Sequence, residues 1–298
     1  MSHFQLTPGG IATLACMLEL SAPKPGNVHR GADFEDVTFV DFATSAVVLG
    51  DVIGMCTGKR PGETILSAVR RTQSAVGTNT NLGIVLLLVP LAKILEHAPG
   101  ANLDVSSISD FLARLTTNDG ADVFEAIRIA KPGGLGEADE LDVNQTGNQP
   151  VDLISAMQFA ADRDSIAKQF VTGYKDVIET GVPLLAKGRQ IFGSLNQSIV
   201  FAHVAMMARQ HDSLIARKCG LDVAGHAKFL AAKAIELLGP PDGPVAAREL
   251  DLYWNAVGEL DFWLRSDGHR RNPGTTADLI AASLYVGISN GTITPPLT

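Results

Sequence analysis

Five short segments concentrate the polar, chemistry-bearing residues of this 298-residue chain against an apolar background. The first is SAPKPGNVHRG, residues 21–31, where Lys24, Asn27, His29 and Arg30 sit among prolines and a glycine. Pro23 and Pro25 fix φ and stop a helix, so the segment reads either as a plain helix terminator or as a stiff loop presenting donors to an anion. GTNTNLG, residues 77–83, places Thr78, Asn79, Thr80 and Asn81 directly before an apolar run. One of these would cap the helix. Four in a row exceed that need, and a helix N-terminus with extra hydroxyls and amides suits phosphate or sugar oxygens.

The third segment, KPGGLGEADELDV at 131–143, holds Glu137, Asp139, Glu140 and Asp142 beside three glycines. It is either a solvated acidic turn or a site for a hard cation such as Mg²⁺, which takes one or two carboxylates plus substrate phosphates. The fourth, RQHDSLIARKCG at 209–220, mixes Asp212 and Ser213 with Arg217 and Lys218. The five-residue separation of Asp212 and Arg217 does not put both on one helix face, which leaves a helix end or surface charge as alternatives. The fifth, RRNPGTTADLIAAS at 270–283, leads from two arginines through Pro-Gly into a Thr-capped helix with Asp278 in its first turn.

The elements that must position these segments read as helices. Thr7-Pro8 pairs an N-cap residue with proline at the first helical position, and Ile11, Leu14, Ala15 and Leu18 follow at helical spacing. Apolar faces recur over Phe39–Val47, Ile65–Thr72, Leu82–Leu95 and Ile108–Leu115, with residues 97–109 as a connection. After the long polar stretch at 131–150, helical patterns cover roughly 151–160, 164–180, 194–210, 223–238, 245–264 and 276–288. Strand-like alternation and hairpin turns are absent. The expectation is an all-α, single compact multi-helix domain spanning 1–298, with 131–150 as an active-site loop, since long loops inside compact domains are often functional.

Composition narrows the function classes. The chain is 46% hydrophobic and 19% charged, a balance that excludes extensive disorder. A net charge of −8 argues against a general nucleic-acid-binding field, so an anionic ligand must meet a local basic pocket. Cys16, Cys56 and Cys219 are far apart and have no zinc-ligand spacing; they read as buried thiols of a reducing cytoplasm. The N-terminus shows no basic and apolar leader pattern, and the apolar run from Leu82 to Leu95 is shorter than the ~20 residues a membrane span requires. Small-molecule partners are expected, with no nucleic acid and no membrane, and self-association is left open.

Taken in order, K-P-G near the N-terminus, N-T-x-x-G opening an apolar helix, G-x-G-E-A-[DE] in the central loop, D-[ST] followed by L-I and a basic residue, and P-G-x-[ST]-A-D-L near the C-terminus resemble the triphosphoribosyl-dephospho-CoA synthase family, from Lys24 to Ala282. The resemblance implies an all-α enzyme that takes ATP as substrate, expels adenine and joins the triphosphoribosyl group to the ribose 2′-hydroxyl of 3′-dephospho-CoA, with Mg²⁺ as the expected metal. It implies that Lys24, Pro25, Gly26, Asn27 and His29 bind substrate or phosphate. Thr78, Asn79, Thr80, Asn81 and Gly83 share that role, as do Ser213, Arg217, Asn272, Gly274 and Thr276. Glu137 and Asp139 are implied in catalysis or metal binding, Asp212 as a competing general base, and Asp278 as a metal or ribose contact.

Two motifs depart from the citrate lyase branch of that family. Asn79-Thr80-Asn81-Leu82-Gly83 stands where N-T-H-K-G is usual, and Lys24-Pro25-Gly26-Asn27-Val28-His29 where K-P-G-L-V-D is usual. These departures suggest a changed substrate. They keep two further readings open: a related transferase or synthase of one-carbon cofactor biosynthesis (tetrahydromethanopterin or methanofuran), and a non-catalytic helical protein that binds a nucleotide or partner.

Overall fold

The computed structural model describes residues 6–133, 152–239 and 245–294. Fourteen α-helices form among these residues, together with a π-helical turn at Asp176–Gly181 and one short extended segment, Ser266–His269. The fold is all-α, as the apolar spacing predicts.

The first half runs α1 (Pro8–Ser21), α2 (Phe39–Met55), α3 (Pro61–Val76), α4 (Leu82–His97), α5 (Val105–Leu112) and α6 (Thr117–Ala130). The caps are those the residue types dictate. Thr7 Oγ1 accepts the Gly10 amide at 3.1 Å, Thr38 and Asp41 form a reciprocal capping box, and Gly77 ends α3 with φ +82°. The second half runs α7 (Leu153–Ala160), α8 (Ser165–Thr172), α9 (Val182–Phe192), α10 (Leu195–Arg209), α11 (Ser213–Cys219), α12 (Leu221–Glu236), α13 (Ala247–Arg265) and α14 (Gly274–Ser289).

One contiguous cluster of buried apolar side chains extends from Ile11 to Val286. Helices α4 and α14 pass through it and are apolar around nearly their whole circumference. Each fully buried leucine in α4 contributes about 2 kcal/mol. Among the described residues no helix is long and apolar enough to cross a membrane.

The single helix expected over 164–180 is instead broken. Gly173 and Tyr174 both take positive φ, +64° and +63°. Gly173 ends α8 as a left-handed C-cap, and in α4 Pro90 has no N–H and leaves the Leu86 carbonyl without its intrahelical donor. The fully buried Tyr174 hydroxyl donates there, 3.3 Å from Leu86 O and 3.2 Å from Leu87 O. Helices α6, α9 and α11 are additions to the sequence-based outline. The Thr-Thr-Asn-Asp-Gly start of α6 resembles a turn, yet Thr116 and Asp119 form a capping box there.

Candidate active site

A cavity of about 820 Å³ opens between the ends of α1, α3, α4, α6, α8, α11 and α14. All five polar segments contribute to its wall, four of them through Asn27, residues 78–83, Arg217, and Asn272 with Gly274 and Asp278. The central acidic segment reaches it with Lys131, Pro132 and Gly133. Glu137, Asp139, Glu140 and Asp142 lie outside the described residues.

The amino end of α4 forms one wall. Asn79 Oδ1 accepts the Leu82 amide at 3.1 Å, Thr80 and Ser45 share a 2.5 Å hydroxyl contact, and Asn81 Nδ2 donates to Ser45 O at 3.4 Å. Three of the four polar residues therefore fix the loop itself. The amides of Gly83 and Ile84 have no acceptor among the described residues, as expected in a first helical turn. A Cβ at Gly83 would overlap Asp278 Oδ2. Glycine here lets the Asp278 carboxylate seat against the helix end.

Asp278 projects from the first turns of α14 into the cavity and has no hydrogen-bond donor among the described residues. Burial pushes its carboxyl well above the ordinary value, and the charges of Glu19, Asp212 and Asp164 add to the rise. A cation or a positively charged reaction centre is what such a group would stabilise. Asn272 Oδ1 is buried without a partner among the described residues and also belongs to the cavity wall.

The cationic side of the cavity carries Lys131, Arg163, Arg217 and Lys218. Lys131 caps α6 with φ +45°, and Arg163 lies over the Phe159 ring at 5.4 Å. Arg217 pairs with Asp164, which in turn caps α8 through the Ile166 and Ala167 amides at 2.8 and 3.0 Å. Burial draws the Lys218 ammonium below its ordinary value, against the pull of Cys219 and Asp36.

Several expected substrate contacts do other work. Lys24 is 0% exposed and is absent from the cavity wall; its ammonium meets Glu19 Oε1 at 2.7 Å, Glu19 O at 2.5 Å and Ala22 O at 3.3 Å. All three donors are used, leaving none for phosphate. Pro25, Gly26 and His29 also lie off the wall. Gly26, at φ +73°, packs against Leu264 and Pro273 and donates to Asp261 Oδ1 at 2.7 Å. His29 Nδ1 accepts the Gly31 amide at 3.1 Å, and burial and the Arg265 charge hold its imidazole below the ordinary value.

Asp212 is likewise occupied. Its carboxylate accepts the Leu214, Ile215 and Thr276 amides and the Thr276 hydroxyl, at 2.7 to 3.0 Å. Burial raises its carboxyl and these four bonds oppose the rise. Ser213 accepts the Ser165 amide at 3.2 Å and donates to Thr275 Oγ1 at 3.1 Å. Asp212, Ser213 and Thr276 thus tie the start of α11 to the start of α14, one layer behind the cavity.

The central-loop metal set falls outside the described residues, and among those described no group of three or more His, Cys, Asp or Glu is placed to hold a metal ion. Glu19, Lys131, Arg163 and Asp164 lie on the wall although the sequence segments did not single them out. Glu19 had a signal: Ala12, Ala15, Cys16 and Glu19 share one buried helical face, and an acid on such a face needs a reason.

The family model described as CitG, ATP:dephospho-CoA triphosphoribosyl transferase, matches residues 6–293. The chain belongs to this family. The transferase is accordingly an enzyme that moves the triphosphoribosyl group of ATP to dephospho-CoA. No curated protein sequence matches it. A crystal structure from Archaeoglobus fulgidus, of a protein assigned by inference as a triphosphoribosyl-dephospho-CoA synthase, is similar at a TM-score of 0.62 and 25% identity, covering 83% of this transferase and 98% of that chain.

Proposed function

We propose that the transferase performs its reaction in this cavity, within a single helical domain. The unpartnered Asp278 carboxylate, seated beside the free amides of α4, carries the reading. A helix N-terminus attracts phosphate through its amides and dipole. The triphosphate of ATP binds there, with Arg217, Lys218, Lys131 and Arg163 supplying positive charge from the cavity wall. Asn272 Oδ1 accepts from a substrate hydroxyl or amino group, which satisfies its buried lone pairs.

Mg²⁺ fits this arrangement, because it binds through one or two carboxylates plus phosphates rather than a full protein cage. Asp278 would hold it, with Glu137 and Asp139 as the further candidates. When bound, the ion would neutralise triphosphate charge that the surrounding carboxylates otherwise repel. Displacement at the ribose anomeric carbon builds positive charge on the sugar, as in glycoside chemistry, and the acidic floor of the cavity stabilises it.

The test is incubation with ATP, dephospho-CoA and Mg²⁺, with free adenine measured by chromatography and the product by mass. Stoichiometric adenine and a product heavier by one triphosphoribosyl unit are expected. Absence of adenine from the folded, ATP-binding protein would overturn the reading.

A further inference from the structure

The transferase reading leaves one built feature unused, the buried ion pair beneath the cavity floor. Glu19 is 6% exposed and belongs to the cavity wall, whereas Lys24 behind it is sealed from solvent. Enclosing an ammonium group is costly even when it is paired, and a packed apolar pair of similar volume is often as stable or more so. Stability alone therefore does not account for a lysine with every donor aimed at Glu19 and its neighbouring carbonyls. Lys24 fixes Glu19 Oε1, while Oε2 has no protein donor among the described residues. The carboxylate is also near Asp278, since its charge acts on that group and both act on the Cys16 thiol.

The loop that carries Lys24 is itself immobilised. Gly26 N–H is held by Asp261, Asn27 O accepts from Arg265 Nη2 at 2.5 Å, and Arg265 Nε meets Asp261 at 2.8 Å. A carboxylate held at one oxygen, with the other free at a cavity wall, has the arrangement expected of a base supported by a rigid second layer.

Resting on the transferase reading, we infer that Glu19 is a catalytic residue that receives the 2′-hydroxyl proton of the acceptor, and that Lys24 is the positioning residue that aims it. In the step, the C1′–N9 bond of ATP breaks and its electron pair leaves with adenine. An O2′ lone pair of dephospho-CoA forms the C1′–O2′ bond, and the hydroxyl proton passes to Glu19. Adenine takes one proton from solvent on leaving, and Glu19 later returns one, so charge and protons balance.

Four variants compared by adenine release test this. Glu19→Gln lowers kcat by about 10²–10⁴-fold, the usual worth of a general base, with KM for ATP nearly unchanged. Lys24→Met lowers kcat less, and Lys24→Arg restores part of it. The double variant Glu19→Gln/Lys24→Met decides between roles. It removes both charges, so a purely structural ion pair predicts recovered activity along with recovered melting temperature. The catalytic role predicts recovered melting temperature with kcat as low as in Glu19→Gln, because Lys24 acts only through Glu19. Parent-like kcat in Glu19→Gln or in the double variant overturns the inference while the parent still releases adenine. A parent that releases none overturns the transferase reading instead.

Discussion

Asp212 and Asp278 are aspartates beside helix N-termini, the first buried and the second partly open to the cavity, and they have opposite surroundings. Asp212 accepts four hydrogen bonds and joins α11 to α14. Asp278 accepts none from the described residues and faces an open volume. Burial raises both carboxyls, but at Asp212 the fold supplies donors that recover the cost, and at Asp278 it does not. Saturation by partners, more than residue type or burial, separates a structural acid from one available to a ligand.

The largest effect expected from breaking this contrast is at Asp278. Asp278→Asn keeps the shape and removes the charge, so adenine release falls by at least about 100-fold, while the melting temperature stays at or above the parent's because an uncompensated buried charge is gone. A fall in melting temperature with activity retained per folded molecule would reverse the assignment. Asp212→Ala does the opposite. It strands helix amides and the Thr276 hydroxyl, at a cost of about 2–4 kcal/mol by denaturant unfolding, and leaves KM for ATP near the parent value in the folded fraction.

Gly83→Ala gives a smaller and more local change. Its methyl group would meet Asp278 Oδ2, so ATP affinity, read by calorimetry, drops about tenfold, and it drops little further when Asp278→Ala is already present. The mildest expected effect concerns His203 on α10, which is half satisfied. Its Nε2 lies 3.5 Å from Asn27 Nδ2, and its buried Nδ1 has no partner among the described residues. Burial, helped by the Lys24 charge, holds this imidazole well below its ordinary value. The unfolded chain therefore binds a proton that the fold refuses, so the contribution is fully present above the unfolded value of about 6.5 and is lost as pH falls below it. His203→Phe should flatten the decline of melting temperature on acidification below pH 6.5.

The helical class, the cap at Thr7 and the starts of α1 and α4 were legible, because each depends on residues adjacent in sequence; the threonine cap expected at α14 was not, since that helix begins at Gly274 behind Pro273 with no side-chain cap. The broken helix at Gly173 and Tyr174 was not, since the Tyr174 hydroxyl finds its acceptors, Leu86 O and Leu87 O, on a helix more than eighty residues away. The same limit applied to the site. Motif order indicated Asp278, Gly83 and Asn272, all on the cavity wall. It gave Lys24 and Glu19 no relation to each other, and only the three-dimensional pairing turns a presumed phosphate ligand into the support of a carboxylate.

The fastening of the first loop has a consequence in time. Gly26 and Asn27 are held by Asp261 and Arg265, 235 and 238 residues further along the chain, and the open carboxylate of Asp278 is more distant still. Contacts of such separation form late, after much loop-closure entropy has been overcome. During synthesis, the segment that begins the cavity leaves the ribosome long before the segment that closes it. Nascent chains ending before α13 carry the Lys24 loop without its clamp, so the cavity is completed only with the last helices to emerge.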